Sequence, residues 1–170
     1  GQKFIIDITS VNDLPYVVNN TGMTVLEDIL APQTITDSML NVSDLESGDD
    51  VSFVLTNINN LHGKLLSGGY EMDLTQNNNS FTMDNLKSGF IQYIPDENYS
   101  GAANFAFKIV DEDGGEVTGL TFDITVTASN DLPFITNNVG GSTNEDTSLF
   151  ITTNILDVSD LDQSILDDMR

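Results

Sequence analysis

Two stretches decide the fold class: Asn104-Phe105-Ala106-Phe107-Lys108-Ile109-Val110 and Thr121-Phe122-Asp123-Ile124-Thr125-Val126-Thr127. In the first, Phe105, Phe107 and Ile109 alternate with Ala106, Lys108 and Val110. In the second, Phe122, Ile124 and Val126 alternate with Asp123, Thr125 and Thr127. A strand sends successive side chains to opposite faces, so a period of two with one apolar face predicts half-buried strands. Asp111-Glu112-Asp113-Gly114-Gly115 between them is a turn signal.

The same texture extends outward. Val51, Phe53 and Leu55 predict an earlier strand, and Ile91 and Tyr93 another that runs up to Pro95. Leu65-Leu66 and Tyr70-Met72 flank Ser67-Gly68-Gly69, a hairpin signal. Thr82 is placed to N-cap a short helix from Met83 to Ser88, which Gly89 ends. Seven or so strands with closely spaced turns predict an all-β fold, a Greek-key antiparallel β-sandwich of immunoglobulin-like kind.

The chain also repeats itself. Asn12-Asp13-Leu14-Pro15 returns as Asn130-Asp131-Leu132-Pro133, an offset of 118 residues. Upstream, Gly1, Phe4, Ile6 and Thr9 return as Gly119, Phe122, Ile124 and Thr127. Downstream, Asn19-Asn20, Gly22 and Glu27-Asp28 return as Asn137-Asn138, Gly140 and Glu145-Asp146. After a two-residue slip, Val42-Ser43-Asp44-Leu45 returns as Val158-Ser159-Asp160-Leu161. These matches predict a window on a tandem array. Residues 1–11 read as the last strand of a preceding repeat, 12–130 as a complete repeat, and 131–170 as the start of the next. An array argues for a structural or binding role and against an enzyme, whose site is normally built once.

Composition narrows the partners. Five basic residues against 27 acidic ones give a net charge of −22 over 170 residues. Such a chain repels phosphate backbones and anionic lipid surfaces, so neither nucleic acid nor membrane insertion is expected. It also repels itself unless cations neutralise it. There is no cysteine, hence no disulfide and no thiolate metal site. No run approaches the 18 or so apolar residues of a membrane span. His62 is the only histidine, no Gly-x-Ser-x-Gly turn is present, and there is no Trp. No catalytic constellation stands out.

Three clusters of acids and amides fall at turns: Asn12-Asp13 before Pro15, Asp44-Leu45-Glu46 with Asp49 and Asp50 behind it, and Asp111-Glu112-Asp113-Gly114-Gly115. Alternate acids in a loop point oxygens toward one centre, and a following Gly lets the backbone turn and offer a carbonyl. Ca²⁺ takes six to eight such hard oxygens. Ordinary turns also favour Asp and Asn, so both readings stand at this stage.

The order of these features resembles a cadherin repeat. Val25-Leu26-Glu27-Asp28 resembles the early strand motif whose Glu binds Ca²⁺. Asp44-Leu45-Glu46 resembles the Asp-x-Asp loop, and Phe107 to Gly115 the late strand ending in Asp-x-Gly. Asn12-Asp13-Leu14-Pro15 resembles the linker between repeats. Leu61-His62-Gly63-Lys64-Leu65, Phe81-Thr82-Met83-Asp84 through Gly89, and Tyr93 are similar to the chondroitin-sulfate-proteoglycan type of cadherin-like repeat. Such repeats occur in large bacterial RTX adhesins exported by type I secretion. The linker departs from the cadherin pattern, with Leu14 in place of a second Asn, and there is no Leu-Asp-Arg-Glu motif.

The resemblance implies a division of ligands between two junctions. Asn12, Asp13, Asp44, Glu46, Asp111 and Asp113 would gather at the first. Glu27, Asn130, Asp131, Asp160 and Asp162 would gather at the second. It further implies a Ca²⁺-dependent extender repeat on a bacterial cell surface. Its partners would be neighbouring repeats of the same chain, with host or surface glycan or protein engaged through other domains. The rivals are a module that itself binds glycan or protein, and a metal-free acidic spacer.

Overall fold

β10 (Gly101–Val110) and β11 (Glu116–Thr127) form the antiparallel hairpin that the alternation predicts. Phe105 faces Phe122 across it, and these two with Phe107, Ile109, Ile124 and Val126 are at most 2% exposed. The computed structural model describes residues 2–9, 11–46, 48, 50–75 and 78–161. The chain divides into two units, residues 1–127 and 128–170.

In the first unit β5 (Ser52–Asn57) pairs with β10, and β8 (Ser80–Thr82) with β5. β2 (Met23–Leu26) pairs with β11, completing a five-stranded sheet of order β2-β11-β10-β5-β8. A four-stranded sheet has the order β3-β9-β6-β7, from β3 (Gln33–Thr34), β9 (Ile91–Pro95), β6 (Gly63–Ser67) and β7 (Tyr70–Glu71). β1 (Tyr16–Asn20) pairs with β4 (Leu40–Ser43). Gly68 and Gly69, with φ of 58° and 86°, close β6 onto β7 by the two-residue turn that a hairpin favours. α1 (Met83–Lys87) begins at the Thr82 N-cap, where Thr82 and Asn85 cap each other's backbone N–H groups.

The sequence pattern predicts antiparallel pairing throughout, but β2 and β11 run parallel, Met23 beside Ile124 and Val25 beside Val126. The reason is a change of sheet. The chain leaves the β1–β4 pair at Gly22 (φ 70°) and joins the free edge of β11 in the same direction. A Cβ on Gly22 would lie 2.4 Å from the Asp123 carbonyl oxygen, so only glycine lets the two backbones approach this closely.

The core joins apolar faces of both sheets, with Val25, Phe53, Leu55 and Phe107 from one and Ile35, Leu65, Ile91 and Tyr93 from the other. Phe53 stacks on Phe81 at 4.7 Å between ring centres, and Phe105 on Phe122 at 5.3 Å. Tyr93 is fully buried and donates its hydroxyl to the Leu61 carbonyl at 2.8 Å. A Cβ on Gly63 would meet that ring at 2.8 Å, so the Tyr93 site depends on a glycine there.

The second unit contains β12 (Phe134–Asn138) and β13 (Leu156–Ser159). Their register, Phe134 to Ser159 and Asn138 to Leu156 with a bulge between, copies Tyr16 to Ser43 and Asn20 to Leu40 in β1 and β4. Backbone angles repeat too: Gly22 and Gly140 both have φ of 70°, Asp28 57° and Asp146 58°. No described residue of this unit is buried. Leu156 is 44% exposed and Ile151 63%, whereas Leu40 and Ile35, which stand at the same places in the first unit, are fully buried. No helix among the described residues is long and apolar enough to cross a membrane.

Candidate functional site

The acidic loop between β10 and β11 is built around Asp111. Val110 pairs with Glu116, so residues 111–115 must reverse the chain. Gly114, at φ 87°, makes the turn. Asp111 Oδ1 accepts from the Gly115 N–H at 2.7 Å, and Oδ2 accepts from the Asn12 side-chain amide at 3.1 Å. Asp111 is only 6% exposed. A buried carboxylate needs hydrogen bonds, and both of these come from neutral donors. Gly115 belongs to the same contact. A Cβ there would lie 2.4 Å from Asp111 Oδ2 and 2.8 Å from Asn12 Nδ2.

The second loop follows β4. Asp44 exchanges backbone hydrogen bonds with Gly48, at 2.8 and 3.0 Å, and its Oδ1 accepts from the Glu46 N–H at 2.9 Å. This Asx turn aims Glu46 back at the linker, where its Oε2 accepts from the Asp13 N–H at 3.1 Å. The β1–β4 register explains the meeting. Tyr16 sits opposite Ser43, so the residues before Tyr16 run beside those after Ser43.

The structure therefore brings together five of the six residues assigned to the first junction: Asn12 with Asp111, Asp13 with Glu46, and Glu46 with Asp44. Asp113 stands exposed at the tip of its loop. Glu27 is 4% exposed, and its backbone N–H donates to the Thr127 carbonyl at 3.0 Å. Within the second unit, Asn130 donates to the Asp131 carbonyl at 2.6 Å, and Asp131 and Asp160 are half-buried. Asp162 lies outside the described residues, as does Asp49.

Sheet pairing assembles one feature that the sequence reading did not foresee. Ser52 pairs with both Val110 and Thr82, which puts the ends of β5, β10 and β8 in a row. A recess of about 210 Å³ results, and Asp50, Asp84, Asp111 and Glu112 are among its lining residues. Along the chain Asp84 belongs to the first turn of α1. The signal that places it here is cross-strand register, which does not exist before β5 and β8 pair.

In kind, the linker and its loops carry hard oxygen donors of the type Ca²⁺ takes, the carboxylates of Asp44, Glu46 and Asp111 and the side-chain amide of Asn12. In arrangement they are linked pairwise. Among the described residues no three acids or histidines converge as a ready-made metal cage.

A family model described as Cadherin-like matches residues 15–126. No curated protein matches the chain.

Proposed function

Because the chain belongs to the Cadherin-like family, we propose that it is a non-enzymatic extender segment of a Ca²⁺-dependent bacterial surface adhesin. The observation that carries the reading is the double attachment of the linker: Asn12 to Asp111 in one loop and Asp13 to Glu46 in another. The linker is thereby held to both loops at one end of the unit. Bound Ca²⁺ would supply positive charge and a further tie among these oxygens. Asp44 and Asp111 hold the loop backbones, Glu46 and Asn12 fix the linker, and Asp113 is an exposed carboxylate on the same loop as Asp111. A linker held this way limits the motion of whatever repeat precedes it, so an array would stand out from the cell as a stiff rod. Asn130, Asp131, Asp160 and Asp162 repeat Asn12, Asp13, Asp44 and Glu46 along the sequence and are assigned the same role on that ground. Extracellular placement and other domains that engage glycan or protein complete the proposal.

Calorimetric Ca²⁺ titration, with thermal unfolding in Ca²⁺ and in chelator, tests it. Modules of this kind hold Ca²⁺ with dissociation constants of about 10⁻⁴–10⁻³ M. At a hundredfold excess, one site adds about 2.7 kcal/mol. Equal melting temperatures in Ca²⁺ and chelator would replace the proposal with a metal-free acidic spacer.

A further inference from the structure

Residues 2–9 carry a strand pattern with no strand to match. Phe4 is 89% exposed, Ile6 70% and Ile8 91%, and no regular element forms there. Alternating large apolar side chains left in water call for a partner.

The repeat identifies that partner. Phe4, Ile6 and Ile8 stand where Phe122, Ile124 and Val126 stand in β11, and all three of those are at most 2% exposed. The connections agree as well. Six residues separate Thr127 from Phe134 at the start of β12, and six separate Thr9 from Tyr16 at the start of β1. Residues 2–9 thus stand to β1 as β11 stands to β12. We infer that residues 2–9 are the closing strand of the sandwich repeat immediately N-terminal to β1, docking in the register of β11.

That register makes a detailed statement. β11 pairs antiparallel with β10, Phe122 opposite Phe105 and Ile124 opposite Ala103, and parallel with β2, Ile124 beside Met23. Phe4 and Ile6 would take the places of Phe122 and Ile124 against the same two kinds of strand, one on either side. Phe4, Ile6 and Ile8 would face the core of that repeat. Lys3, Ile5 and Asp7 would face out, at positions matching Thr121, Asp123 and Thr125, which are exposed. A strand between two partners has no free edge, so the docked segment would also hide backbone groups that are otherwise open to pairing with other chains.

The test transplants the strand into the one place where its surroundings are known. In the full chain, residues 119–127 are replaced by residues 1–9, through Leu120→Gln, Thr121→Lys, Asp123→Ile, Thr125→Asp and Val126→Ile. A second variant shifts the transplant by one residue, placing residues 1–8 at positions 120–127. It includes Phe122→Lys and Val126→Asp at buried positions. Both are melted in chelator, so the outcome is independent of any Ca²⁺ site. The in-register variant is expected to keep the cooperative transition, with a midpoint within about 10 °C of the parent, because most of its changes face solvent. The shifted variant is expected to lose the transition. An unfolded in-register variant overturns the inference. So do two variants that melt alike, since the register would then decide nothing.

Discussion

Gly115→Ala probes the linker contact through a single methyl group. Gly115 is not at positive φ, so its backbone accepts alanine. The cost is spatial: the new Cβ would lie 2.4 Å from Asp111 Oδ2, 2.8 Å from Asn12 Nδ2 and 3.1 Å from Leu14 Cδ2. Contacts under 3 Å cannot stand, so Asp111 and Asn12 must part. A hydrogen bond to a charged group contributes about 1.5–3 kcal/mol. Glycine-to-alanine offsets about 0.4–1 kcal/mol of that by restricting the unfolded chain. The net loss is about 1–2 kcal/mol, or roughly 5 °C for a unit of this size. Thermal unfolding in chelator measures it, and Asn12→Ala supplies the partner for a double-mutant cycle. The two changes break one contact, so the double variant should lose little more than Gly115→Ala alone. A parental melting point for Gly115→Ala, or full additivity with Asn12→Ala, would refute the reasoning.

Four further outcomes are expected. Asp113→Ala should lower the melting temperature in Ca²⁺ and leave it nearly unchanged in chelator, while Na⁺ at matched ionic strength should not substitute for Ca²⁺. Phe122→Ala should cost about 3–5 kcal/mol in denaturant unfolding, because Phe122 is fully buried against Phe105. Gly22→Ala should cost clearly more than Gly119→Ala. Both have positive φ, but only Gly22 would drive a Cβ into backbone, the Asp123 carbonyl. Burial, with Asp96 and Tyr99 adding to it, pushes the Tyr93 phenol well above its ordinary value of about 10. Above that pH the unfolded chain loses a proton that the folded chain keeps, so stability should be full below pH 10 and fall as pH rises past it. Tyr93→Phe should flatten that alkaline slope in pH-dependent denaturant titrations.

What the sequence by itself determined was local. Phe105 to Ile109 and Phe122 to Val126 announced strands because the pleat has a period of two. Gly68-Gly69 announced a tight hairpin because both residues must take positive φ, and Thr82 announced a helix start because its hydroxyl can cap an orphan N–H. Repetition of Asn-Asp-Leu-Pro picked out the linker, and spaced acids picked out two loops. Tertiary structure decided everything that depends on which strands become neighbours. Nothing in Met23 to Leu26 says that they will run parallel to β11, since that follows from crossing between sheets at Gly22. Nothing in Asp84 places it beside Asp50 and Glu112 until Ser52 has paired with both Val110 and Thr82. Gly115 reads as one more turn glycine until Asn12 arrives, 99 residues from Asp111 along the chain, to fill the space where a side chain would be. Local conformation follows from each residue's own sterics and hydrogen-bonding groups. Contacts between distant residues follow from the sheet register, which only the packed core selects.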